Sequence, residues 1–245
     1  MIIRTIAAVI PAIILLAKVY KADRLEKEPK GLLISLVFMG LLSTFTAGIA
    51  ELVCGDILAR FVPEKTLIYN IIEYFVIVAF AEEGSKYFFL KIRTWKSPNF
   101  NCSFDGVVYS VFVSLGFALF ENIGYVIQFG LSNAVARAFT AVPAHACFGV
   151  FMGVWYAAAK RWSYRGNFLR VKACKIKALL IPAFLHGAYD FLATVQADAA
   201  TVAWIVFVLI MFIIAYRKVK QTAAADEYID YNQYSFSDFM NNIRM

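Results

Sequence analysis

Charge is scarce in this sequence, and so are the side chains most often used to hold metals. Charged residues make up 17% of the 245, histidine occurs twice, and Cys54, Cys102, Cys147 and Cys174 form neither a C-x-x-C pair nor a Cys/His cluster. The cysteine pattern argues against a disulfide scaffold. So low a charge content excludes an ordinary soluble domain, in which about a quarter of residues are charged. The sequence also lacks H-E-x-x-H, the helical zinc signature of many metalloproteases. It has no polar stretch long enough for a separate soluble domain.

What is present is apolar. Hydrophobic residues reach 61% and the mean hydropathy is +0.67. A net charge of +7 on so apolar a chain points to the flanks of a bilayer, not to nucleic acid, and disorder is equally excluded. Apolar runs bounded by charge or Pro/Gly clusters occur at 2–19, 31–54, 66–90, 104–126, 134–159, 178–195 and 200–216. A spanning helix needs roughly 20 apolar residues, so each run can cross. The expected architecture is all-α, a polytopic transmembrane bundle of about seven helices. It forms one domain over 1–220, followed by a polar tail over 221–245 that reads as a flexible terminus.

The basic residues set the orientation. Nineteen Lys and Arg fall in the first, third and fifth connections and the tail, against four on the other side: Arg4, Arg60, Lys65 and Arg137. The positive-inside rule then places the N-terminus outside and the C-terminus in the cytoplasm. Positive charge follows the first apolar run instead of preceding it, so the first helix is expected to be retained and not cleaved as a signal peptide.

Ionisable groups inside a membrane are expensive and are functional candidates by default. The third run carries Glu73, Glu82, Glu83 and Lys86, the fourth Glu121, the fifth His145, and the sixth His186 and Asp190. Glu82 and Glu83 precede Lys86 by four and three positions and share its helix face; His186 and Asp190 are four apart. Each group reads as an orienting residue plus a working one, although a structural ion pair would also account for the first. Glu51 and Glu73 lie nearer the outer helix ends and read as interfacial, and Gly149-x-x-x-Gly153 reads as a helix contact. At 1.5 Å per residue Glu121 lies roughly 25 Å from the cytoplasmic end of its helix, deeper than the others.

Glu82-Glu83-Gly84-Ser85-Lys86 is EExxK, Phe117 to Glu121 is FxxxE, and His186 to Asp190 is HxxxD. In this order on successive helices they resemble the signature of the PrsW family of intramembrane proteases. Asp23-Arg24, Glu28-Pro29, Asp105-Gly106, Tyr109, Gly116, Asn122 and His145 extend the resemblance over residues 20 to 195. The PrsW family is distantly similar to the CAAX-prenyl protease and bacteriocin-processing superfamily, whose motifs are EExxxR, FxxxH and HxxxN. Here Lys86 stands one position early and Glu121 replaces a histidine, so prenylated-peptide processing is not expected.

The resemblance implies cleavage of a membrane-anchored protein substrate, such as an anti-sigma factor, within a prokaryotic plasma membrane. Hydrolysis requires an activated water, an acid for the leaving amine and stabilisation of the oxyanion. The expected roles are Glu83 as base with Glu82 as second choice, Lys86 holding its partner, His186 with Asp190 polarising the carbonyl, and His145 positioning water. Two readings of the chemistry stay open. Metal-free glutamate catalysis is favoured, while Glu121, His145, His186 and Asp190 offer the N/O ligands for a single zinc ion. A proton-coupled transporter, or an inactive sensor or scaffold, is the alternative from another class.

Overall fold

The structure, a computed structural model, describes residues 2–64 and 66–229. The helices are α1 (Ile2–Ala22), α2 (Lys30–Phe61), α3 (Leu67–Ile72), α4 (Ala79–Thr94), α5 (Asp105–Phe129), α6 (Leu131–Phe139), α7 (Ala141–Tyr164), α8 (Phe168–Thr194) and α9 (Asp198–Ala224). A π-helical stretch, Glu73–Val78, joins α3 to α4 without a break. Every apolar run of the sequence lies on helix, and the chain is an all-α membrane bundle.

Four helical segments, Lys30–Phe61, Asp105–Phe129, Leu131–Tyr164 and Asp198–Ala224, are long and apolar enough to cross a membrane by length and composition. The run 67–94 carries Glu82, Glu83 and Lys86 of the candidate site. α8 begins well before the expected 178, so the loop predicted over 160–177 is largely helix. Arg170, Lys172, Lys175 and Lys177 are good helix formers, and the Asn167 side chain caps the new start by accepting from Arg170 N at 3.1 Å. The fifth run is divided between α6 and α7 at Thr140, and Gly130, at φ 85°, separates α6 from α5.

α5 is the axis of the bundle, buried continuously from Asp105 to Ala118 and packed by α1, α2 and α7. Two glycine contacts set its position. A Cβ on Gly153 of α7 would meet Gly106 O at 2.5 Å, and one on Gly40 of α2 would strike the Val113 carbonyl of α5. In a bilayer, where lipid is as apolar as leucine, such backbone-to-backbone approach is a main source of helix association. α9 is peripheral and buries only Val208, Met211 and Ala215.

The first part of the tail is docked on the bundle. Tyr228 pairs with Cys102 in an antiparallel bridge, Ser103 N donates to Glu227 O at 2.9 Å, and Ile229 N donates to Asn101 O at 2.7 Å. Asp226 Oδ1 accepts from Phe104 N at 2.7 Å and Ser103 Oγ at 3.0 Å, satisfying a backbone donor at the start of α5. Residues 225–229 therefore strap the turn before α5. The remainder of the tail, with Tyr231, Tyr234, Phe236, Phe239 and Asp238, lies outside the described residues.

Candidate active site

The π-helical stretch widens one turn immediately before the EExxK sequence, a distortion common at functional sites. Beyond it, α4 presents Glu82, Glu83 and Lys86 to the interior. Lys86 is fully buried and its Nζ donates to Glu82 Oε2 at 3.0 Å, to Glu83 Oε1 at 2.8 Å and to His145 Nδ1 at 3.1 Å. It also lies 3.8 Å from the centre of the Phe117 ring, so the aromatic residue of FxxxE supplies a cation–π face to the lysine of EExxK. An ammonium is tolerable here because every proton it carries has an acceptor.

α7 and α8 bring the histidines. An ammonium can only donate, so His145 Nδ1 is the acceptor and its Nε2 carries the proton, directed at Glu121 Oε2 at 2.9 Å. His186 faces carboxylates through both ring nitrogens, Nδ1 to Glu83 Oε1 at 2.9 Å and Nε2 to Asp190 Oδ2 at 3.2 Å. It serves both only when both nitrogens carry protons. Phe148 stacks on the His186 ring, with centroids 4.7 Å apart, and the two imidazoles meet edge to face at 5.3 Å.

All seven residues singled out in the sequence thus join one network, including Glu121, the one placed deepest. Sequence reasoning missed two others. Arg137 on α6, counted above only as an outward base, donates to Glu121 Oε2 at 2.7 Å and to Asn122 Oδ1 at 3.0 Å, and covers the Tyr125 ring at 4.0 Å. Glu51, read above as interfacial, lines the site cavity. An amphipathic helix that folds its arginine inward leaves no spacing signal to find.

That cavity, of about 480 Å³, opens between α2, the π-helical stretch and the ends of α5 to α8. Glu82, Glu121, His145, His186 and Asp190 border it, together with Glu51, Tyr74 and Arg137. Glu83 and Lys86 are not at its wall; both are 0% exposed. Of the adjacent carboxylates, Glu82 faces the space a substrate would enter and Glu83 stands behind it.

One oxygen or nitrogen from each of Glu82, Glu83, His145 and His186 lies within 4.8 Å of the others. Two imidazoles and two carboxylates suit zinc, and Glu83 Oε2 is buried with no hydrogen-bond partner among the described residues, a lone pair available to a ligand. The donor set therefore fits a metal. It differs from the set expected from sequence: both histidines stay, but Glu121 and Asp190 sit on the far ring nitrogens, where carboxylates orient metal-binding imidazoles. Three of the four donors are now engaged by Lys86, so binding a metal requires that ammonium to yield its place.

The chain is similar to known proteins over most of its length. The model of the PrsW family, described as intramembrane metalloproteases, matches residues 28–216. Protease PrsW of Bacillus subtilis (strain 168) is 32% identical over 205 residues, covering 83% of this chain and 86% of that protein. Protease PrsW of Geobacillus kaustophilus is 33% identical over 215 residues, with 88% and 90% covered. Protease PrsW of Clostridioides difficile is 30% identical over 241 residues, with 97% and 94% covered. No solved structure matches the chain.

Proposed function

Since this chain belongs to the PrsW family of intramembrane proteases, we propose that it hydrolyses a peptide bond of a membrane-anchored protein at the Glu82/His186 side of the cavity. The single observation that carries the assignment of roles is the split between Glu82 at the cavity wall and Glu83 fully buried behind it.

Glu82 is the general base. It takes a proton from water at the cavity wall and returns it to the leaving amine. This reverses the order expected from sequence, in which Glu83 came first; Glu83 instead fixes Lys86 and the Nδ1 side of His186. His186, fixed at Nδ1 by Glu83, shifts its Nε2–H from Asp190 to the developing oxyanion, and His145, oriented by Glu121, places the water. Burial under Phe148 and Phe117 keeps these groups in a dry setting where each charge acts strongly. Glu82, Glu83, His145 and His186 would hold a zinc ion, which when bound would polarise the carbonyl and acidify water.

The substrate best suited to a site bordered by bilayer-spanning helices is a single-pass regulator of the anti-sigma kind. The test co-expresses tagged single-pass candidates with wild type and with Glu82→Gln in a bacterial membrane. A fragment that appears only with wild type is the expected result, and intact substrate in both cultures counts against the reading. Exhaustive chelation with zinc add-back separates the two chemistries by loss and rescue of cleavage.

A further inference from the structure

A second, larger cavity of about 820 Å³ lies away from the active site, between α1 and α9 against α7. Its walls are apolar side chains such as Val19, Phe212 and Val219, and its depth comes from small residues, Ala146 and Ala215, where bulkier ones would close the groove. Three cations stand at one end: Lys18 and Arg24 from α1 and the turn after it, and Lys220 from α9. No acidic residue lines the cavity. Among the described residues none of the three cations has a carboxylate within ion-pair distance, and Lys220 Nζ lies 4.9 Å from the centre of the Tyr216 ring.

The geometry points to a seat for one anionic phospholipid of the inner leaflet, its phosphate among Lys18, Arg24 and Lys220 and an acyl chain in the groove. Length supports this occupant. From Phe212 to Lys220 the groove follows α9 for about 12 Å at 1.5 Å per residue, which fits within the roughly 15 Å of hydrocarbon in one leaflet. Charge supports it too: basic pockets between helices at the cytoplasmic side select anionic headgroups, and this is the end that the Lys/Arg count places in the cytoplasm. The inference does not depend on the proteolytic reading. It does connect to it, because Ala146 and Cys147 follow His145 directly on α7 and line the groove.

Native mass spectrometry of the full chain in detergent, titrated with phosphatidylglycerol or phosphatidylcholine, tests the proposal. One phosphatidylglycerol per chain should bind at least about tenfold more tightly than phosphatidylcholine. The combined Lys18→Gln, Arg24→Gln and Lys220→Gln variant should weaken it on the order of 100-fold. A control with equal charge loss, Lys91→Gln, Arg165→Gln and Lys172→Gln, should bind as wild type, whereas Ala223→Phe, which fills the groove with its cations intact, should weaken binding. Should the triple variant fail to fold, Lys220→Gln alone must still lower the preference. Equal binding of the two lipids, equal loss in the control, or full competition by glycerol phosphate without acyl chains would each overturn it.

Discussion

Glu83 Oε1 and His186 Nδ1 lie 2.9 Å apart although 103 positions separate them in the chain. The contact ties α4 to α8 across the bundle and commits Glu83 to holding other groups, leaving the neighbouring Glu82 as the carboxylate at the cavity.

The two glutamates should therefore fail differently. Glu82→Gln is expected to abolish cleavage and to lower the melting temperature less than Glu83→Gln, because Glu82 pairs closely with Lys86 alone whereas Glu83 holds both Lys86 and His186. Glu83→Gln should cost activity and also stability, because a buried ion pair broken on one side loses about 3–5 kcal/mol. Cleavage assays paired with thermal melts decide it. A Glu83→Gln protein as stable as wild type and still able to cut would contradict the assignment, as would a Glu82→Gln protein that cuts normally.

Arg137 should matter although it reaches no reacting atom. It shares Glu121 Oε2 with His145, so Arg137→Gln loosens the carboxylate that sets the His145 tautomer. Partners at this remove typically carry about 10–100-fold of activity. The expected effect is a fall of that size in kcat with KM little changed, and partial recovery in Arg137→Lys. A pure KM effect would instead place Arg137 in substrate binding.

Outside the membrane, Asp23 and Glu28 sit in the turn between α1 and α2, both buried. Burial raises Asp23 to about 6, with Asp226 adding to the rise and Lys27 opposing it. Burial likewise raises Glu28 to about 7, aided by Asp23 and Glu26 and opposed by hydrogen bonds from Tyr109 and Asp105. The folded protein thus holds protons that the unfolded chain releases, so the stability these two groups contribute is fully present at acid pH and is lost as pH rises from about 4 to about 7. Asp23→Asn should flatten this decline in melts taken from pH 5 to 8. A wild-type curve that rises with pH over that interval, unchanged in the variant, would refute it.

Much of the site was legible because a bilayer makes polarity conspicuous. Glu82, Glu83, Lys86, His145, His186 and Asp190 stand out in apolar runs, and helical spacing alone pairs Lys86 with both glutamates and His186 with Asp190. Other features depend on geometry that no local pattern records. Depth along a straight helix set Glu121 apart, yet His145 Nε2 lies 2.9 Å from it, so helix packing brings together what linear distance separates. Which glutamate faces the cavity is a matter of rotation about α4, just beyond the π-helical turn that alters its phase. Arg137 looked like an ordinary outer base because α6 turns back over the site only after the break at Gly130. The docking of Asp226 on Phe104 joins segments 122 residues apart.

That last contact has a consequence for the order in which the molecule is completed. Chains fold from the N-terminus as they are made, and Asp226 is synthesised long after the turn it caps. While α5 is being inserted, the donor of Phe104 must find water or a headgroup in place of its final partner. The rim around α5 is finished only once α9 has left the ribosome, so a nascent protease lacking its last helix carries the machinery of the bundle without the strap that closes it.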